Sequence, residues 1–422
     1  MKSYPIFRRY CAVNFTKSMK KIIIALLAFP ITAFAADKMA PAGDPEIVVP
    51  DSTGFKFTDV KVNPTTPVKD QNKSGTCWSF AGTSLMEEDV LRRGGEELDL
   101  SEMWTVRNCY IDKAKKYVRT NGVTNFAQGG AATDVLYVAD NYGIVPDEVY
   151  PGLNYGEEKH MHYEMEGVLK AYLDALMKNP NKRLSTAWLP GFIGILDAYL
   201  GAAPETFTIN GKTYTPQSYA QELGIKGEDF ISLTSYSHHP FYESFSLEIP
   251  DNWTWAESYN VPMEDMKEAV DNALNKGYTV CWSADVSEGG FQWRNGFALL
   301  PEKKTGDDLE GTELSRWVQL SDKEREEATY KIKGPVKERK VTQESRQKTF
   351  DNYETTDDHG MVIVGYATDQ DGNRYYKVKN SWDTNQLYNG FLYVSEPYFL
   401  EKTLSVLVNK ESLPKNLAQR IQ

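Results

Sequence analysis

The sequence predicts an α+β fold in two halves. One half is mainly helical and opens on a cysteine. The other is built on antiparallel strands and holds a histidine and an asparagine, and a long, mainly helical stretch separates them. Three observations predict this. The stretch Gln71-Asn72-Lys73-Ser74-Gly75-Thr76-Cys77-Trp78-Ser79-Phe80-Ala81 reads as a loop tightening into a helix, with a cysteine at the helix start. Far along the chain, His359 leads an apolar run, Met361 to Gly365, and Asn380 closes a second strand-like run, Tyr375 to Lys379. Between these two regions lie helical patterns at Gly167 to Met177 and Thr186 to Leu200, and a hairpin signal around Asn210-Gly211 within Thr206 to Thr213.

The first element follows from local chemistry. Gly75 is expected to permit a tight turn, and Ser74 or Thr76 to cap the helix. Trp78, Ala81 and Leu85 then share one helical face, and Gly94-Gly95 supplies the stop. A thiol at a helix N-terminus lies at the positive end of the macrodipole, which favours the thiolate. A lone cysteine before an apolar helix is more often a buried small hydrophobe than a nucleophile. Two partners shift that balance. Asp369-Gln370-Asp371-Gly372 forms a turn between the two late strands. The resulting hairpin puts His359 near one strand end and Asn380 near its neighbour's. A Cys–His–Asn triad needs this pairing: a base beside the thiol and an amide that orients the imidazole.

With these residues in view, the segment around Cys77 resembles the nucleophile segment of papain-like cysteine peptidases. The order Gln71, Cys77, His359, Asn380-Ser381-Trp382 fits the same family. Within it, the chain is most similar to the bleomycin hydrolase and bacterial aminopeptidase C branch, from about Val62 to about Leu417. Leu100-Ser101-Glu102, Gln128-Gly129-Gly130 and Tyr142-Gly143-Ile144-Val145-Pro146 contribute to the likeness.

The resemblance implies a two-lobed papain-like fold, peptide substrates and no cofactor. It assigns catalysis to Cys77, His359 and Asn380, and the oxyanion hole to the Gln71 side chain with the Cys77 N–H. Trp382 would shield the His–Asn bond beside the substrate, and Gly129 and Gly130 would line the substrate cleft, where glycine admits an extended peptide backbone. The leading activity is that of an aminopeptidase, with a homo-oligomer, a hexamer in this branch, as the implied assembly. The alternatives are a cysteine endopeptidase with a more open cleft and a catalytically inactive binding relative. An inactive relative has no chemical need to keep Gln71, Cys77, His359 and Asn380 together.

The chain also departs from the family. Ser74 stands where secreted members usually carry a disulfide cysteine. The resemblance implies a Pro- and Trp-containing C-terminal arm that runs back into the cleft, and no such arm is expected beyond Leu413-Pro414. Lys415 to Gln422 reads as a polar turn or two of helix. Papain-like chains place their His and Asn roughly 130–150 residues after the nucleophile. The longer interval here predicts insertions at about 152–255 and 303–348, the second dense in charge and expected to be a solvated helix and loop.

Residues 1–35 read as a secretory signal. Lys20-Lys21 precede the apolar stretch Ile22 to Phe34, which ends in Ala33-Phe34-Ala35, a pattern for cleavage before Ala36. The expected location is therefore exported, periplasmic or extracellular, with no stable membrane insertion after cleavage. Residues 36–57 are expected to be an extended leader over the surface, and 58–422 the peptidase domain. Removing residues 1–35 takes six Lys or Arg and no acid, so the net charge falls from −12 to −18. Such an acidic chain argues against a nucleic-acid partner, and the short basic run Lys331 to Lys340 reads as plain surface.

Three cysteines would then stay in the mature chain: Cys77, Cys109 and Cys281. The last two read as buried free thiols, with a bridge between them left open. His160-x-His162 and His238-His239 lack the nearby carboxylate or cysteine spacing of a known site, so no metal is expected. Asp357-Asp358 could raise the pKa of His359 or simply face water.

Overall fold

A computed structural model describes residues 54–303 and 309–421. The signal, Cys11, most of the leader and Gln422 lie outside the described residues. The helical half contains β1 (Thr58–Val62), α1 (Cys77–Arg92), α2 (Glu102–Arg119) and α3 (Ala132–Tyr142). Next come α4 (Tyr163–Met177), α5 (Trp188–Leu200), β2 (Phe207–Ile209), β3 (Lys212–Tyr214) and α6 (Pro216–Leu223). The sheet half then begins with β4 (Phe230–Thr234), β5 (Ser244–Ser246), β6 (Glu257–Asn260), α7 (Met263–Asn275), β7 (Val280–Ala284), β8 (Phe291–Gln292) and β9 (Phe297–Ala298). After α8 (Gly311–Gln319), α9 (Asp322–Thr329) and α10 (Gln343–Asp351), it continues with β10 (His359–Thr368), β11 (Arg374–Lys379), β12 (Phe391–Ser395), α11 (Glu396–Lys402), β13 (Thr403–Asn409) and α12 (Lys415–Ala418). The fold is α+β.

The main sheet runs β5-β6-β4-β13-β7-β10-β11-β12-β9-β8, with β1 also paired to β10. Most of its pairings are antiparallel; β4–β6 and β9–β12 are parallel. β10 is apolar along nearly its whole length because both of its faces are covered. On one face lies the core that includes Leu85 of α1, Val135 of α3, Leu169 of α4 and Phe192 of α5, together with Cys281, Val362, Val364 and Leu407 of the sheet. On the other, Met266, Val270 and Leu274 of α7 pack on Val280, Trp282, Met361 and Ile363. The sheet thus separates the two cores.

The predicted elements are present, with differences that have physical causes. Asn210 and Gly211 both take positive φ, 50° and 78°, as a two-residue hairpin turn requires. The stretch 152–255 is helical only as far as α6, apart from the β2–β3 hairpin. From Phe230 it enters the main sheet, because the five residues of β4 are buried and pair with β13. The charged stretch 303–348 is solvated only in part. Arg346 of α10 is fully buried, and its guanidinium donates to the carbonyls of Ser235 (2.7 Å), Leu400 (2.8 Å) and Thr403. Those carbonyls lie at element ends, and the five-donor fork satisfies several at once. The end of the leader does not lie on the surface: Phe55 is buried beside Phe297 and Tyr375, and Phe57 stacks on Tyr393 at 4.1 Å between centroids. Nor is the tail after Pro414 simply polar, since Leu417 and Ile421 are buried in the second core. No described helix is long and apolar enough to cross a membrane.

Candidate active site

Cys77 is the first residue of α1, and Thr76 is its N-cap. The sequence suggests that a Ser74 or Thr76 hydroxyl caps the helix, but the structure places them otherwise. Their hydroxyls bond each other at 2.6 Å, and Ser74 also donates to the Gln71 carbonyl at 2.7 Å. No side chain caps the helix; the Ser79 N–H turns back to the Thr76 carbonyl at 2.9 Å, and the Trp78 N–H reaches the Cys77 sulfur. Gly75 is required for close approach: a Cβ there would sit 2.9 Å from Cβ of Gln128, whose side-chain oxygen accepts the Gly75 N–H. The left-handed residue of this loop is Asn72, at φ 49°.

β10 and β11 form the predicted hairpin, with Val362 opposite Lys379. His359 therefore starts one strand where Asn380 leaves the next. The His359 Nε2 donates to the Asn380 Oδ1 at 2.7 Å, which leaves Nδ1 as the basic nitrogen. Trp382 stacks on the imidazole with 4.5 Å between ring centroids, and Phe291 and Trp293 meet Trp382 edge-on. This aromatic cover keeps water off the His–Asn bond. The next residue, Gly360, donates its N–H to the Cys77 sulfur, and a side chain there would press on the backbone of Cys77 and Trp78.

Ser381 laces these groups together, a role that sequence reasoning missed although the residue belongs to the Asn-Ser-Trp motif. Its N–H shares the Asn380 oxygen at 2.8 Å, and its hydroxyl donates to the Gln71 Oε1 at 2.7 Å. Its carbonyl accepts the Gln71 N–H at 2.8 Å. The Gln71 Nε2 donates one hydrogen to the Ser74 carbonyl at 2.7 Å and keeps a second for another acceptor.

Burial governs the charges. It pushes the Cys77 thiol up to about 12, helped by the carboxylates of Asp357 and Asp251 and opposed by the Gly360 and Trp78 N–H groups. The helix dipole, worth at most about 2 kcal/mol, does not outweigh burial for the isolated thiol. Burial likewise brings His359 down to about 4, against the Asn380 bond. Of the two readings left open for Asp357-Asp358, a raised His359 pKa is not found, and Asp358 does face water. It also accepts from the Val286 N–H and the Thr356 hydroxyl, and burial dominates the imidazole.

The glycine pair adjoins Cys77 but faces this chain's own groups. A Cβ on Gly129 would fall 1.8 Å from Oδ2 of Asp251, and one on Gly130 would press on Trp78 and Asp134. Lys113 supports the same loop from beneath by donating to the carbonyls of Ala127 and Gly129.

Cys109 and Cys281 are buried and free. Burial raises both thiols well above the usual range. His160 is half-buried and meets Phe80 edge-on, His162 is fully buried beside it, no carboxylate ligand is recorded for either among the described residues, and burial brings them down to about 4 and 3. The other histidine pair differs from the sequence reading. His238 and His239 each place Nε2 on an oxygen of Glu248, at 3.1 and 3.0 Å, which is a carboxylate partner that chain spacing did not reveal.

A family model described as "Papain family cysteine protease" matches residues 52–184, and one described as "Peptidase C1-like family" matches residues 330–422. Aminopeptidase C of Lactobacillus delbrueckii subsp. lactis is 23% identical over 392 residues, covering 83% of this chain and 81% of that protein. Bleomycin hydrolase of Homo sapiens is 22% identical over 399 residues, covering 83% of this chain and 82% of that protein. The crystal structure of PepW from Lactobacillus rhamnosis hn001 superposes with a TM-score of 0.65 at 20% identity, over 86% of this chain and 84% of that one. One family match contains Cys77, the other contains His359 and Asn380, and the long likenesses share one branch: the chain is a papain-like cysteine peptidase of the aminopeptidase C and bleomycin hydrolase branch.

Proposed function

We propose that this protein is an exported cysteine aminopeptidase that acts through Cys77, His359 and Asn380. The observation that carries the reading is the fixed imidazole. His359 is bonded through Nε2 to Asn380, covered by Trp382, and followed by a residue whose N–H touches the Cys77 sulfur. The names of the long relatives support trimming from the N-terminus.

In this mechanism, the thiol proton passes to Nδ1 of His359 as sulfur attacks the peptide carbonyl. Burial penalises a lone thiolate and a lone imidazolium, but the transfer creates the two opposite charges together, so that each offsets part of the other's cost. The tetrahedral oxyanion is held by the Cys77 N–H and the second hydrogen of the Gln71 amide. The imidazolium then protonates the leaving amine, and water hydrolyses the thioester with His359 again as base.

Export rests on the Lys20-Lys21, Ile22–Phe34 and Ala33-Phe34-Ala35 pattern, and is tested by the N-terminal sequence of the protein recovered outside the cytoplasm. A homo-oligomer belongs to the same proposal and is tested by the molar mass in solution. The activity test is hydrolysis of amino-acyl fluorogenic amides and short peptides by the wild type and by Cys77→Ala. Turnover confined to the wild type is expected. Equal turnover by both proteins removes Cys77 from the chemistry.

A further inference from the structure

The loop between β5 and β6 lies against the glycine wall of the cleft. Trp253 fixes it by donating from Nε1 to the buried Asp134 of α3 at 2.6 Å. Trp255 adds a second anchor, with the Lys116 ammonium 3.4 Å above its ring. Asn252 stiffens the loop from inside, donating to the carbonyls of Leu247 (3.1 Å) and Ala256 (3.0 Å). Leu247, Ile249 and Asn252 of this loop close one side of a pocket whose other sides are Ala131 to Thr133 and the sheet residues Ser283 and Ser405. An extended peptide running past Gly129 and Gly130 would need this space for the residues ahead of the one being cleaved. The loop forms one wall of that space.

At the apex stands Asp251. Its Oδ2 fills the place of the absent Gly129 side chain, and Asn125 donates to its Oδ1 at 3.2 Å. The carboxylate is close enough to Cys77 for its charge to act on the thiol, and it also bears on Asp357, two residues before His359, whose carboxyl is held well above the usual range by burial and by the Asp251 charge. A carboxylate placed where the chain would otherwise continue suits a substrate that stops there and ends in a cation.

We propose that Asp251 is the anchor for the substrate's free α-ammonium group, so that the loop Leu247–Ala256 limits the enzyme to removing single N-terminal residues. This deepens the aminopeptidase reading and rests on it. The contact is a charge-assisted hydrogen bond, and its loss is expected to cost on the order of 10- to 100-fold in affinity. The effect belongs in KM, because Asp251 holds the substrate end and does not touch the reacting atoms.

The experiment compares three substrates: a peptide with a free N-terminus, the same peptide acetylated, and an acetylated peptide with lysine one residue further upstream. Each is assayed with wild type, Asp251→Asn and Asp251→Glu, with melting temperatures measured in parallel. Wild type is expected to prefer the free amine. Asp251→Asn, which preserves shape, is expected to raise KM for the free peptide about 10- to 100-fold relative to the acetylated one, any effect of the lost charge on the thiol falling on both substrates alike. Asp251→Glu is expected to recover part of the preference. An unchanged free-to-acetylated ratio in Asp251→Asn overturns the proposal. So does a wild type that prefers the acetylated lysine peptide and loses that preference in Asp251→Asn, because the carboxylate would then hold a side-chain ammonium. If Asp251→Asn melts far below wild type, Asp251→Glu decides: it must retain a preference for the free amine. If wild type cleaves no peptide at all, it is the peptidase reading that fails.

Discussion

Lys379, the last residue of β11, reaches across to Glu88 in α1 and pairs with it at 3.3 Å, with side chains only 6% and 0% exposed. The ammonium also donates to the hydroxyls of Thr66 (2.9 Å) and Ser84 (2.8 Å). Asn380 follows directly, so this buried cation ties the end of the hairpin to the helix that begins with Cys77. Removing one member of a buried pair leaves an uncompensated charge and costs about 3–5 kcal/mol, whereas replacing both with apolar groups is often tolerated. Lys379→Met should therefore destabilise the protein by that amount in urea unfolding. The double variant Lys379→Met, Glu88→Leu should recover much of the loss.

The Gln71 amide is held by Ser381 on one side and the Ser74 carbonyl on the other. Gln71→Ala should lower kcat by about 10²–10³ with little change in KM, the usual result of losing one oxyanion donor. Ser381→Ala leaves that donor in place but frees it to swing, so its kcat should fall less than that of Gln71→Ala. Steady-state kinetics on one amino-acyl amide checks both.

Three histidines are held as neutral rings, His162 and His359 buried and His160 half-buried: His160 down to about 4, His162 to about 3 and His359 to about 4, each chiefly through loss of solvent. Their pKa values in the unfolded chain lie near 6.5. Below that pH the unfolded chain takes up protons that the folded protein refuses. The stability they contribute is thus fully present above about pH 6.5 and is lost as pH falls toward 4 and 3. The melting temperature should drop across this window. His162→Phe should reduce the drop more than His238→Phe, because His238 is partly exposed and already paired with Glu248.

The candidate site was legible in the sequence because each of its parts is local. Cys77 begins a helix with a clear apolar face, and a turn signal sets His359 and Asn380 on neighbouring strand ends. What was not legible depends on contacts between distant segments. The pairing of Phe230–Thr234 with Thr403–Asn409 moves part of the expected insertion into the main sheet. Asp251 carries no local signal at all; only the folded loop brings it to Gly129. The same holds for Glu248 beside the two histidines and for Arg346, whose charge in a polar stretch reads as surface until its carbonyl partners are known. Hydroxyls mislead in the opposite way. Ser74 and Thr76 fit the pattern of a helix cap, yet each satisfies the other.

The central claim is that Cys77 is the nucleophile and His359 its base. An epoxide-type thiol-peptidase inhibitor, followed by peptide mapping in a mass spectrometer, tests it most directly. Wild type should carry one adduct, on Cys77, with activity lost in proportion to labelling. His359→Ala should label far more slowly, while Cys109 and Cys281 stay unmodified in their buried sites. An adduct on Cys109 or Cys281 that abolishes activity, or full activity in a protein labelled at Cys77, would contradict the account.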